Sequence, residues 1–227
     1  MTSTPLDRPV WHGLRTRQSE HGAGGDLARR FRPDIAPFAA AANDTPEALA
    51  ALGALIEPGE SVMLLQREAF PSAAGLIIES LGPGVQMVLH RLAPPRPPEV
   101  EVVALTEADA PEMLALATLT QPGPFRAGSH RLGDFVGIMA QGRLLAMAGE
   151  RLKPPGYTEV SGVCTHPDAR GRGYAGLLSH RVSQRILARG ETPFLHAWAG
   201  NTAAISLYET LGFRLRGAMA VTVVRRD

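Results

Sequence analysis

Apolar residues first fall into a steady helical rhythm after Thr45. Leu49, Leu52, Leu55 and Ile56 repeat at spacings that place them on one face of a helix. Thr45 is a residue type that caps helix N-termini, Pro46 suits the first helical position, and Glu47 puts a carboxylate at the positive end of the helix dipole. Pro58-Gly59 closes the helix. Residues 61–65 read as a strand, residues 75–80 are ambiguous, and residues 85–89 read as a further strand after the turn Gly82-Pro83-Gly84. Residues 1–43 lack such a rhythm. They are rich in Arg, Gly, Pro and Ala, with a loop at Gly22, Gly24 and Gly25 and one short helical turn expected over 27–31. This segment is expected to pack along the body or to be partly mobile.

Residues 94–98 contain four prolines, which neither a helix nor an interior strand can accommodate. They form a stiff, extended connector and divide the chain into 1–98 and 99–227. Beyond it the pattern predicts a strand over 100–105, a helix over 109–119, and a hairpin of strands 135–140 and 144–150 around Gln141-Gly142-Arg143. A strand over 157–165 precedes a helix over 175–189 closed by Gly190. A strand over 194–198, a helix over 202–211 closed by Gly212, and a last strand over 218–224 complete the order. Interleaved strands and helices of this kind predict an α/β fold, a mixed sheet covered by helices.

Composition narrows the function classes. The formal net charge of +1 gives no electrostatic footing for nucleic acid or an anionic membrane, so neither is expected as a partner. Cys164 is the single cysteine, which excludes an internal disulfide and a cysteine-cluster metal site. Charged residues interrupt the N-terminus where a secretory h-region would lie, and the apolar runs at 62–65 and 75–78 are too short to cross a bilayer. A cytoplasmic location is the expectation.

The most informative stretch is Arg170-Gly171-Arg172-Gly173-Tyr174-Ala175, between a predicted strand and a predicted helix. A helix N-terminus presents unpaired N–H groups and partial positive charge, small residues let the backbone approach an anion closely, and two arginines add formal charge. The physics is that of a pyrophosphate cradle. A Gly-x-x-x-x-Gly-Lys loop is missing, which argues against a P-loop nucleotidase. Gly171, Gly173 and Gly176 formally match a dinucleotide fingerprint, but residues 166–170 separate the first glycine from its strand, and the acid at the expected distance, Glu191, precedes the next strand instead of ending it.

Arg170-x-x-Gly173-x-Ala175 resembles the phosphate signature of the GNAT superfamily of N-acetyltransferases. Asn201, six residues before Leu207-Tyr208-Glu209-x-Leu211-Gly212-Phe213, resembles that superfamily's second hallmark region. The resemblance covers the last 130 or so residues well and the first half loosely. It implies a GNAT fold whose central strands splay apart to admit the pantetheine arm of acetyl-CoA. It further implies backbone hydrogen bonds to that arm at Val163 and Thr165, flanking Cys164, with the pyrophosphate on the amides of Arg170, Gly171, Arg172, Gly173, Tyr174 and Ala175 and Asn201 near the arm. Tyr208 matches the tyrosine that can protonate the departing thiolate. Glu159, eleven residues before Arg170, stands where glutamate-dependent members carry their base, and a strand carboxylate beside an apolar cleft would have a raised pKa. The implied activity is direct transfer of an acetyl group to a small-molecule or peptide amine; an acyl-CoA sensor without turnover is the alternative.

Each residue also has a plainer role to set against the sharper one. Tyr208 sits among Ile205, Leu207 and Leu211 on an apolar helix, and Glu159 could pair with an arginine on a neighbouring strand. Cys164 reads as a small buried hydrophobe and not as a nucleophile. His166 and His196 are candidate proton shuttles, but His196 lies within a predicted strand and His166 precedes Pro167, which favours structural roles; Arg225-Arg226 reads as a solvated tail. Residues 45–92 are expected to be a degenerate, partial copy of the same fold. They would extend the sheet and shape the acceptor pocket without holding a second coenzyme A.

Overall fold

Thr45 begins the first well-marked helix as its chemistry dictates, its Oγ1 accepting from the Ala48 amide at 3.4 Å. The computed structural model describes residues 4–94 and 98–227, so part of the proline-rich connector, residues 95–97, lies outside the described residues. The elements in chain order are α1 (Pro9–Arg15), β1 (Gly22–Gly24), β2 (Ala28–Phe31), β3 (Ala39–Ala41), α2 (Pro46–Ala54), β4 (Ser61–Gln66), β5 (Leu76–Leu89) and β6 (Val103–Leu105). They continue with α3 (Ala110–Thr120), β7 (Phe135–Ala140), β8 (Arg143–Glu150), β9 (Tyr157–Thr165), α4 (Tyr174–Ala188), β10 (Thr192–Trp198), α5 (Thr202–Thr210) and β11 (Phe213–Arg226).

One eight-stranded sheet, ordered β4-β11-β5-β10-β9-β8-β7-β6, runs through both sides of the connector; a small sheet joins β1, β2 and β3. Within the large sheet β9 and β10 are parallel, and the other neighbours are antiparallel. β5, from before the connector, lies between β10 and β11, from after it. The mixed sheet of the expected fold is present, and the first half extends it.

The sheet is covered on both faces. Leu178, Val182 and Ile186 of α4 are spaced by four residues and buried against Val136, Ala146, Val160 and Leu195. Burying each such side chain contributes about 2 kcal/mol. Phe194, next to Leu195 on β10, necessarily points the other way. It packs with Val10, Trp11, Leu14, Phe31 and Phe38 of the N-terminal segment. Met147 on β8 also points away from α4, and α3 covers it with Met113, Leu116 and Ala117.

Two local expectations are corrected. Residues 27–31 are not a helical turn: Ala28 and Phe31 are buried, and β2 pairs with β1 and β3, so sheet partners outweigh a weak local pattern. Of the two alternatives for the N-terminal segment, residues 4–43 follow the first and pack along the body through α1 and the small sheet. Gly82-Pro83-Gly84 is not a turn, because β5 passes straight through it. Pro83 presents its carbonyl to the Ala199 amide at 3.0 Å. Its backbone edge therefore faces the β10 side, where the ladder has already ended at Gly84, and the missing N–H breaks no bond to β11.

Candidate active site

β9 and β10 run side by side only where Tyr157, Thr158 and Glu159 meet Thr192, Pro193 and Phe194. From there β9 continues on β8 alone and β10 continues on β5 alone, so the strands diverge. A register shift opposite Ala148, with Gly162 at φ +62°, bends β9 away. Only glycine adopts that φ without strain. The divergence opens a cavity of about 350 Å³, which Val163, Cys164 and Thr165 of β9 line from one side and His196, Ala197 and Trp198 of β10 from the other. Thr165 Oγ1 is buried and has no hydrogen-bond partner among the described residues.

The turn at 170–173 is exposed and leads into α4. Gly171 and Gly173 have φ of +76° and +77°. Among the described residues a Cβ on Gly171 would meet nothing within 4 Å, and one on Gly173 only the Pro98 Cδ at 3.8 Å, so those residues leave the space above the turn open. Among the described residues no side chain caps α4. Among the described residues no acceptor takes the amides of Gly171, Arg172 or Gly173. Arg170 and Ala175 line the cavity, whereas Arg172 folds back to donate to the Asp168 carbonyl at 3.1 Å. Tyr174 is half-buried at the start of α4. Glu191, which a dinucleotide site would require free, is tied to Arg17 at 2.8 Å and accepts from the Thr158 hydroxyl.

Glu159 is fully buried and does not itself line the cavity; Arg151 and His196 stand between. Its Oε2 accepts from Arg151 Nε at 2.9 Å and from the Leu152 amide at 3.2 Å. Its Oε1 accepts from Arg151 Nη2 at 2.7 Å and from His196 Nδ1 at 2.7 Å. Burial pushes this carboxyl up, but the Arg151 guanidinium and His196 outweigh it and hold the pKa down at about 2. The expectation of a raised pKa is therefore corrected: an apolar cleft alone would raise it, and a bidentate arginine does the reverse.

The tautomer of His196 follows from its other neighbour. Gln86 Nε2 donates to the Leu6 carbonyl at 3.0 Å, and Gln86 Oε1 accepts from Arg216 Nη1 at 2.8 Å, which fixes the amide orientation. Gln86 Nε2 is then a donor 2.9 Å from His196 Nε2. His196 must carry its proton on Nδ1, toward Glu159, and leave Nε2 as an acceptor. Arg216 in turn donates to Asp7 Oδ1 at 2.6 Å, so the hydrogen-bonded chain runs from the N-terminal segment to the cavity wall.

Tyr208 is 8% exposed and lines the cavity from α5, with its ring edge-on to Phe213 at 6.0 Å. Burial, with the nearby Glu159 charge, raises its pKa to about 12, so the phenol keeps its proton. Asn201 also lines the cavity, and its side chain caps α5 by accepting from the Ala204 amide at 3.1 Å. Burial pushes the Cys164 thiol up to about 11, so no thiolate forms there near neutrality. His166 is engaged with Arg143 and the Asp168 amide.

Sequence reasoning missed Arg151, Phe38, Met63 and Trp198 and, of the two roles open to His196, favoured the structural one over a proton shuttle. All five line the same cavity as Tyr208 and Arg170. The sheet is what brings His196 to Glu159. His196 lies two residues beyond Phe194, which pairs with Glu159, and residues two apart on a strand share a face.

The FR47-like protein family model matches residues 135–222. The N-alpha-acetyltransferase RimI of Mycobacterium tuberculosis (strain ATCC 25618 / H37Rv) is 32% identical over 151 residues, which cover 56% of this chain and 92% of that protein. A crystal structure of a GNAT-family protein from Novosphingobium aromaticivorans DSM 12444 is 44% identical, covers 99% of this chain and 100% of its own, and superposes with a TM-score of 0.91. A GCN5-related N-acetyltransferase from Kribbella flavida, 22% identical with a TM-score of 0.69, covers 100% of this chain and 97% of its own and shares the fold. No helix among the described residues is long and apolar enough to cross a membrane.

Proposed function

Because the chain belongs to the GNAT family of acetyltransferases, we propose that it moves an acetyl group from acetyl-CoA to an amine by direct attack, with both substrates bound at once. The observation that carries this reading is that one cavity joins the open turn before α4 to the Tyr208 phenol and to His196, which contacts Glu159. The described residues suit acetyl-CoA: among them the amides from Gly171 to Gly173 have no acceptor, Thr165 Oγ1 is a buried orphan, and no side chain blocks the turn. The pyrophosphate would be held by Arg170 and the amides through Ala175, and the pantetheine arm by the unpaired edge of β9 at Val163 and Thr165, beside Cys164 and Asn201. Bound there, acetyl-CoA supplies the acyl group as a thioester.

The acceptor must lose a proton before it attacks. Glu159, at a pKa of about 2, is too weak a base to take that proton near neutrality. His196, at the cavity wall, keeps its acceptor lone pair on Nε2, which Gln86 engages at rest, and Glu159 beneath it holds the ring and stabilises the imidazolium that forms. The Gln86 hydrogen bond to Nε2 must give way at that moment, at a cost of about 1 kcal/mol. Tyr208, with a pKa of about 12, lies above an ordinary thiol, so it offers the departing thiolate a hydrogen bond more readily than the proton itself. Residues 1–98 we read as a partial copy of the same architecture that shapes the acceptor end through Phe38, Met63 and Leu65.

The test is thiol release from acetyl-CoA across a panel of amines, with the acetylated product identified by mass. Amine-dependent release with product is expected. Tight coenzyme A binding by calorimetry without release for any amine would replace the transferase reading with that of a sensor.

A further inference from the structure

The side of the cavity built on β4, β5 and β11 is not needed to hold acetyl-CoA in the reading above, and its chemistry is one-sided. Phe38, Met63, Leu65 and Val221 supply its walls, and Gly84 and Ala197 its floor. Leu65 stands opposite Val221, and Gly84 is flanked by Met219 and Trp198 on its two neighbouring strands. A Cβ on Gly84 would sit 3.2 Å from Val221 Cγ2, so the glycine keeps this floor free of side chain.

Its charges are already satisfied. No Asp or Glu lines the cavity among the described residues. Glu159 lies behind the wall with both oxygens taken. Arg151 holds Glu159 through Nε and Nη2, and its guanidinium carbon lies 5.0 Å from the centre of the Phe38 ring. A second ammonium on the acceptor would find no counter-ion here, and burying an unpaired charge costs several kcal/mol. An apolar group gains about 0.8 kcal/mol for each buried methylene against the same walls.

We propose that the acceptor is a primary amine carried on an apolar group, aromatic or branched aliphatic, with no second positive charge close to the first. This rests on the transferase reading. It names the chemistry of the acceptor, which a free arylalkylamine and the N-terminal residue of a peptide can both supply.

The experiment measures kcat/KM by thiol release from acetyl-CoA for 2-phenylethylamine, 3-methylbutylamine, 1,4-diaminobutane and short peptides beginning with Phe, Leu or Lys. At least one apolar amine or Phe- or Leu-initiated peptide is expected to exceed diaminobutane by about tenfold or more. Whether the small amine or the peptide is faster identifies the source. Met63→Glu places a carboxylate at the wall and is expected to move the apolar-to-diamine ratio at least about tenfold toward the diamine, with the thermal transition checking its fold. Calorimetry of 2-phenylethylamine and diaminobutane with the wild-type protein should rank them in the same order without turnover. A wild-type ratio below tenfold, or one favouring diaminobutane, overturns the proposal and leaves the transferase reading standing. Absence of thiol release for every amine overturns both.

Discussion

Glu159→Gln is expected to lower kcat by roughly a hundredfold or more and to destabilise the protein by about 3 kcal/mol. The catalytic loss follows from the geometry. The imidazolium formed at His196 would lose the carboxylate 2.7 Å from its Nδ1. The stability loss has a different cause: Arg151 would keep its charge beside a neutral amide, and removing one member of a buried pair leaves the other uncompensated. For a chain of this length such a loss is roughly 6–12 °C in Tm. The substitution should also reshape the acid limb of stability. Glu159 has its folded pKa depressed to about 2 from an ordinary 4.5. Its contribution is therefore complete above pH 4.5 and disappears as the pH falls from there toward 2, because the unfolded chain takes the proton first. The variant should lack that part of the acid dependence. Wild-type kcat together with an unchanged pH–stability curve would remove Glu159 from both roles.

Tyr208→Phe isolates one hydroxyl. The ring stays in place against Phe213, so Tm should hardly move. A hydrogen bond to a developing thiolate is worth about 2 kcal/mol, so kcat should fall roughly thirtyfold while KM for acetyl-CoA stays near wild type. The phenol pKa of about 12 implies that no basic limb near pH 9 belongs to this residue. A pH–rate profile of wild type and variant checks both points. An unaltered kcat would return Tyr208 to the apolar cluster in which it also sits.

Much of this arrangement was legible from local chemistry. Thr45-Pro46 begins α2, and glycines close α4 and α5, because capping and termination depend on a few adjacent residues. The turn at Gly171 and Gly173 was legible for the same reason, since its positive φ values are a property of the residue type. What sequence concealed depended on partners far along the chain. β2 is a strand because β1 and β3 flank it, although its own four residues carry little pattern. Glu159 was found by position, but its protonation state was set by Arg151 across a loop and by His196 on the neighbouring strand. The N-terminal segment showed no period, yet Leu6 and Asp7 reach His196 through Gln86 and Arg216, a connection that only the folded sheet creates.

If the amides at the start of α4 hold a diphosphate, calorimetry should separate coenzyme A from pantetheine, which lacks the diphosphate and the rest of the nucleotide. Coenzyme A should bind at least about a hundredfold more tightly, and Gly173→Val, whose branched side chain is strained at φ +77°, should erase most of the difference. Equal affinities for the two ligands, or a difference that survives Gly173→Val intact, would contradict the claim.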